Sequence, residues 1–165
     1  MTEAFLIATV VASVAAGCVG GAFYGFSTIV MPGLARLPAA QGVAAMQAIN
    51  VAAVRVPFMV AFMGTALLSI VLGARGIATL GEPAGLLLVV ASALYLVGAF
   101  GVTIAGNVPI NNAVDRADAT APETAQLWAR LSVRWTRLNH LRTLAALAAA
   151  GVFAAAATVA VAAGG

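Results

Sequence analysis

Trp128 to Arg142 reads WARLSVRWTRLNHLR, an arginine-rich segment that runs without interruption into an apolar tract reaching the C-terminus. The segment reads as one helix, with the fourth span beginning near His140. A broken end is expected before that span, meeting the one after the third span to form a polar lining. At about 100° per residue, Trp128, Trp135, Asn139 and Arg142 share an arc of roughly 60°. Arg130, Arg134 and Arg137 fall on the opposite side, and His140 lies between the faces near Thr136 and Thr143. One face thus offers two indoles, an amide and a guanidinium; the other offers three cations to water or lipid headgroups. Two readings of the first face follow. It is either an interfacial anchor of Trp and Arg or the lining of a small-molecule site.

The rest of the chain sets the medium. Of its 165 residues, 63% are hydrophobic and 8% charged, and the mean hydropathy is +1.07. Soluble domains carry about a quarter charged residues, so a chain this apolar is an integral membrane protein. The expected fold is all-α, a four-transmembrane-helix bundle in a single domain, residues 1–165. Spans are expected near 4–31, 57–73, 84–106 and 140–161, with amphipathic helical segments in the first and third loops.

Gly17, Gly21 and Gly25 recur at intervals of four in the first span and predict a close helix contact. Met31-Pro32-Gly33 is expected to end or kink that span. Ala15-Ala16-Gly17-Cys18 faintly resembles a lipoprotein cleavage site, but MTEAF lacks a basic leader, so a retained helix is expected. Cys18, the only cysteine, is expected to be a buried, inert thiol.

An amphipathic helix is expected from Ala40, carrying Asn50 on its apolar side with Met46. Asn50 is then either a hydrogen-bonded packing residue or a second amide facing the site of Asn139. Ala74 to Pro83 reads as a short turn. Gly98, Gly101 and Ala105 are packing positions in the third span, where Tyr95 needs a polar partner. That span meets Asn107-Val108-Pro109-Ile110-Asn111-Asn112, where Pro109 should break the helix at the edge of the bilayer. Backbone groups freed there need partners. The asparagines supply donors and acceptors, either as caps or as ligand contacts. Thr120 to Glu123 then signals the start of the helix containing WARLSVRWTRLNHLR.

A faint repeat links the halves. Gly21-Ala22-Phe23 precedes Pro32 by the interval at which Gly98-Ala99-Phe100 precedes Pro109. This predicts parallel halves, each a span, a proline break, an amphipathic segment and a span. Seven of the eight arginines flank the first and third loops, and Arg75 alone lies by the second. The positive-inside rule then puts the long loops in the cytoplasm and both termini outside, with a bacterial inner membrane expected.

The composition also narrows the chemistry. The net charge of +3 is small, and the arginines sit at span ends, which argues against a nucleic-acid surface. One histidine, one cysteine and five acidic residues supply no usual metal set, so no metal or other cofactor is expected. A haem on His140 alone is a weaker alternative. The remaining chemistry is a membrane pocket with amide, guanidinium and indole groups and one base, His140. It would suit a flat aromatic carrying polar oxygens.

FYGFSTIVMPGL, MQAIN, NVPINNAV and WARLSVRWTRLNHLRTLAAL, from about Gly20 to Leu147, resemble the anthrone oxygenase-like family of small membrane proteins, many of them known only as a domain of unknown function. The most specific parts are Asn107-x-Pro109-x-Asn111 and Trp135-x-x-x-Asn139-x-x-Arg142. The resemblance implies oxidation of an anthrone-like substrate by molecular oxygen without a cofactor. Asn107, Asn111, Trp135, Asn139 and Arg142 carry over from the family pattern. Arg142 and Asn139 are expected to be catalytic, together with His140, the base read from the pocket itself. Asn107, Asn111, Trp128, Trp135 and Asn50 are the expected substrate contacts. The alternative is a non-enzymatic four-helix membrane protein that binds a lipid, a quinone or a partner protein. The glycine stripes would also allow oligomers.

Overall fold

The computed structural model describes residues 2–164. Its elements are α1 (Glu3–Leu34), α2 (Ala39–Ala53), α3 (Val56–Ala78), α4 (Pro83–Asp115) and α5 (Thr124–Gly164). There is no strand among the described residues. The helices α1, α3, α4 and α5 are each long and apolar enough to cross a membrane, and the short α2 lies between the first two. The protein is therefore an all-helical integral membrane protein. At about 1.5 Å per residue, the 41 residues of α5 span about 60 Å, roughly twice the hydrocarbon thickness. The arginine-rich stretch and the apolar tract are one helix, without the break expected before the fourth span.

Four helices contribute to the main core. Ala12, Ala16, Val19 and Phe23 of α1 meet Phe62, Ala66 and Leu72 of α3, Leu88, Ala91, Tyr95 and Ala99 of α4, and Ala146, Ala149, Phe153 and Ala156 of α5. Small residues bring α1 and α5 close enough for the Ser13 hydroxyl to donate to the Ala150 carbonyl at 2.8 Å. Tyr95 is fully buried, and its hydroxyl donates to the Phe62 carbonyl at 3.0 Å, which supplies the partner it needs.

A second core lies at the loop end. There Val43 and Met46 of α2 pack with Met31 and Leu34 of α1, Ile110 and Val114 of α4, and Trp128 and Trp135 of α5. The short helix also caps α4. The Gln47 amide donates to the Val114 and Ala117 carbonyls at 2.9 and 3.0 Å, satisfying acceptors that a helix end leaves without partners.

The proline positions depart from expectation. Neither Pro32 nor Pro109 ends its helix. In each case the preceding turn widens, so that the Met31 amide bonds the Phe26 carbonyl and the Val108 amide bonds the Thr103 carbonyl, five residues back. A proline ring collides with the carbonyl four residues earlier in a regular helix. The two π turns, Phe26–Val30 and Thr103–Asn107, contain those carbonyls and displace them, so each helix continues. The first and third spans are correspondingly longer than predicted, at 32 and 33 residues. The π turns before the two prolines fall at equivalent places in the two halves, while α4 carries a further π segment, Leu94–Gly101, that α1 lacks.

Other departures follow from helix rotation. The second span runs on through Ala78, because Gly76 packs against α4 instead of ending the helix. A Cβ there would stand 2.6 Å from the Gly85 carbonyl oxygen. At Gly85 a Cβ would lie 2.0 Å from the Thr79 carbonyl oxygen, so this hairpin requires glycine. In α1 Gly17, from the predicted stripe, and Gly20, which lies outside it, meet α5 at Ala150 and Leu147, whereas Gly21 and Gly25 have no neighbour within 4 Å. Cys18 is exposed, since it lies opposite the buried Ala12, Ala16, Val19 and Phe23 face. Before α5, Asp118 accepts hydrogen bonds from the Thr120 amide and hydroxyl, which hold its carboxyl below the usual range. This turn delays the start of α5 to Thr124.

Gly98 is the tightest inter-helix contact of α4, where a Cβ would sit 2.5 Å from the Ala145 Cβ. Gly98→Ala should therefore destabilise the protein by about 1–3 kcal/mol. Gly21→Ala, in open space, should be neutral or stabilise by up to about 1 kcal/mol. Unfolding by SDS titration in mixed micelles measures both, and equal effects would contradict this packing.

Candidate functional site

The face of α5 that the helical wheel groups together turns inward, which decides against the interfacial-anchor reading. Trp128, Trp135, Asn139 and Arg142 are all buried, with Asn139 completely inaccessible and Arg142 6% exposed. Arg130, Arg134 and Arg137 are exposed. The buried face packs between the two π turns and makes hydrogen bonds to both helices that carry them.

Asn139 is the junction. Its Nδ2 donates to the Phe23 carbonyl at 2.7 Å and to the Ser27 hydroxyl at 2.6 Å, both at the π turn of α1. Its Oδ1 accepts from Arg142 Nε at 2.7 Å. Arg142 Nη1 points to the Thr103 hydroxyl of the other π turn, at 3.4 Å. The guanidinium lies over the Phe23 ring at 4.1 Å and over Trp135 at 4.9 Å. Desolvated stacking of this kind contributes about 2 kcal/mol.

No carboxylate neutralises Arg142, and the Arg75–Glu82 pair is the only ion pair among the described residues. A buried cation normally needs a counter-charge or full hydrogen bonding. Here an amide, a hydroxyl and two aromatic faces hold it, and the positive charge is left unopposed.

Asn107 and Asn111 join the same assembly from α4. Asn107 Nδ2 donates to the Trp135 carbonyl at 3.2 Å, and Asn111 Oδ1 accepts from Trp135 Nε1 at 2.7 Å. Asn107 is fully buried, yet its Oδ1 has no partner. Buried acceptors are rarely left empty, so this oxygen suits a donor supplied by a ligand or a water.

The remaining predicted residues are placed elsewhere. Trp128 packs against α2, where Gly42 makes room for it and a Cβ would lie 3.0 Å from its Nε1. Asn50 donates to Asp115 Oδ1 at 2.8 Å on an exposed surface, bracing α2 to α4. It does not face Asn139. His140 is exposed and lines an open groove of about 310 Å³ between α1 and α5, with Ser27, Met31, Pro32, Thr136 and Arg137. His140 therefore does not touch Arg142; it meets the network only through the groove, at Ser27.

A model of the anthrone oxygenase family matches residues 55–152, more than half of the chain. The chain belongs to the anthrone oxygenase family. No curated protein and no solved structure matches it. The family match spans Asn107, Asn111, Trp135, Asn139, His140 and Arg142, whereas Phe23 and Ser27 lie outside it. Those two, with Thr103, are the site residues that sequence reading missed. Their signal is positional, because Ser27 lies five residues before Pro32 and Thr103 six before Pro109, each inside a turn that a proline forces open.

In this anthrone oxygenase family member, Asn139→Leu removes three hydrogen bonds at once and strips Arg142 of its Nε partner. It should cost about 3–5 kcal/mol. Asn50→Ala should cost about 1 kcal/mol or less. SDS titration compares them, and a cost for Asn139→Leu no larger than that of Asn50→Ala would show that the network is not an anchor.

Proposed function

We propose that this protein is a membrane-embedded, cofactor-independent oxygenase for a flat phenolic, anthrone-like substrate. The observation that carries the proposal is the unopposed guanidinium of Arg142. A fixed positive charge in a dry site, held by Asn139 and aromatic faces, is what stabilises a developing enolate. Membership of the anthrone oxygenase family supports the same chemistry.

The groove between α1 and α5 is the substrate site in this reading. Its volume of about 310 Å³ is at the lower end of ligand pockets. It lies where α5 passes from its arginine-bearing stretch to its apolar tract, a depth that suits an apolar ring system with polar oxygens. His140, in its wall, is the base and removes a proton from the activated CH₂. The carbanion adds to molecular oxygen and, once protonated, is a hydroperoxide. Loss of the second C–H proton with departure of hydroxide leaves a carbonyl and water. The CH₂ is oxidised and oxygen is the only oxidant, so CH₂ and O₂ give C=O and H₂O.

Asn107 and Asn111 fix Trp135, whose ring lies against the Arg142 guanidinium behind the groove wall. The arginines flanking the first and third loops support a topology with those loops in the cytoplasm and both termini outside. The alternative is that the groove binds a lipid or quinone without turning it over, and the exposed Arg137 and His140 in its wall would suit a headgroup.

Oxygen consumption with emodin anthrone decides between them. Purified protein should exceed the protein-free rate. Arg142→Ala should lower the rate by about 100-fold or more, and His140→Ala by a comparable factor of about 10²–10⁴. Equal rates for wild type and Arg142→Ala would remove Arg142 from the mechanism. No rate above the protein-free control would favour the binding protein.

A further inference from the structure

We infer that Ser27 is the group that meets the substrate oxygen, as the last donor in a hydrogen-bond chain that carries the charge of Arg142 into the groove. The inference rests on the oxygenase reading only for the identity of the ligand. The donor chain itself follows from geometry.

Hydrogen bonds along the chain run in one direction. Arg142 Nε–H donates to Asn139 Oδ1 at 2.7 Å, and Asn139 Nδ2–H donates to Ser27 Oγ at 2.6 Å. An amide that accepts from a cation on its oxygen becomes a stronger donor on its nitrogen. Ser27 Oγ thus receives a charge-assisted hydrogen bond and becomes a stronger donor in turn.

The Ser27 proton has no acceptor among the described residues. Hydroxyls in helices ordinarily bond back to the carbonyl four residues earlier. Thr9, Thr28, Thr65, Thr79, Thr103, Thr136, Thr143 and Thr158 all do so here, whereas the serines do not. Ser13 donates to Ala150, Ser132 to Ala129, and Ser69 and Ser92 have no partner, so Ser27 is set apart by the bond it accepts and by its place in the groove wall. For Ser27 that carbonyl belongs to Phe23, and it accepts from Asn139 Nδ2 at 2.7 Å instead. Asn139 thereby both polarises Ser27 and occupies the acceptor that would otherwise hold its proton.

Ser27 is 6% exposed, and it forms part of the groove wall with His140 and Thr136. A buried hydroxyl with a spare, polarised proton in a groove selects an acceptor with negative charge, such as a phenolate or enolate oxygen. His140 stands in the wall of the same groove. A substrate bound through its oxygen at Ser27 therefore places its ring edge along the wall that holds the base. Arg142 acts at one remove and need not touch the substrate.

Emodin, a hydroxyanthraquinone whose phenolate absorbs at longer wavelength than its phenol, is the probe. Titration of its visible spectrum with pH, on protein in micelles and in empty micelles, reads the ionisation of the bound phenol. Wild type should bind emodin and ionise it at lower pH than empty micelles do. Ser27→Ala should reverse the shift by about tenfold in the ionisation constant. Ser27→Thr keeps the hydroxyl and should retain the shift, while the equally shaped Ser27→Val should lose it. This pair decides the matter even where Ser27→Ala folds poorly. Failure of wild type to shift the ionisation, or equal shifts in Ser27→Thr and Ser27→Val, would overturn the inference. Oxygen uptake on the same samples separates the two claims. A lost shift in Ser27→Val with no turnover by wild type supports the donor chain and removes the oxygenase. Normal turnover by Ser27→Val with an unchanged shift does the reverse.

Discussion

A guanidinium withdrawn from water in an apolar protein, with no carboxylate beside it, is the constraint on which the rest of the structure depends. Removing one such charge from water costs several kcal/mol even after relaxation. The fold offsets that cost at Arg142 with neutral groups: the Asn139 amide, the Thr103 hydroxyl, and the faces of Phe23 and Trp135. A carboxylate would have held the cation more simply and would have cancelled its charge. Neutral partners keep the field available to a ligand.

The π turns are what bring those partners together. A regular helix could not pass Pro32 or Pro109 without losing its ladder. Widening the turn before each proline lets α1 and α4 continue, and it also presents Phe23, Ser27 and Thr103 to the polar face of α5. Each half of the chain contributes one turn of this kind before its proline, and Asn139 and Arg142 lie between them; the second half adds a further π segment, Leu94–Gly101, with no counterpart in the first. The asymmetry matters as much as the likeness, since only the first turn borders the groove.

Much of this is legible in the residues themselves. Composition decides the medium and the helical class, and helical periodicity places Trp128, Trp135, Asn139 and Arg142 on one face, whose inward direction only the packing settles. The errors have a common origin in treating helix signals as local. Pro109 reads as a stop because a local rule does not include the wider turn that bypasses it. Gly17, Gly21 and Gly25 read as a packing stripe, but the partner helix meets α1 at Gly17 and then along the neighbouring row at Gly20, leaving Gly21 and Gly25 free. That same rotation exposes Cys18. Asn50 shares the apolar side of its helix with Met46, yet it reaches Asp115 at the edge and not the interior. Trp128 has the right direction, but it lies far enough up the helix to meet Gly42 instead of Arg142. Ser27 was invisible for a different reason. Its importance depends on which carbonyl Asn139 occupies, and that is set by a contact between residues 112 positions apart.

The state of the Arg142 side chain tests the central claim most directly. In ¹⁵N-labelled protein the arginine Nε–H groups can be followed by NMR as they exchange with solvent. The account predicts that one of the eight arginines keeps a slowly exchanging Nε–H, with a chemical shift moved by the aromatic rings on either side, and that this signal disappears in Arg142→Lys. An Arg142 signal that exchanges as fast as those of Arg130, Arg134 and Arg137, with no ring-induced shift, would contradict it.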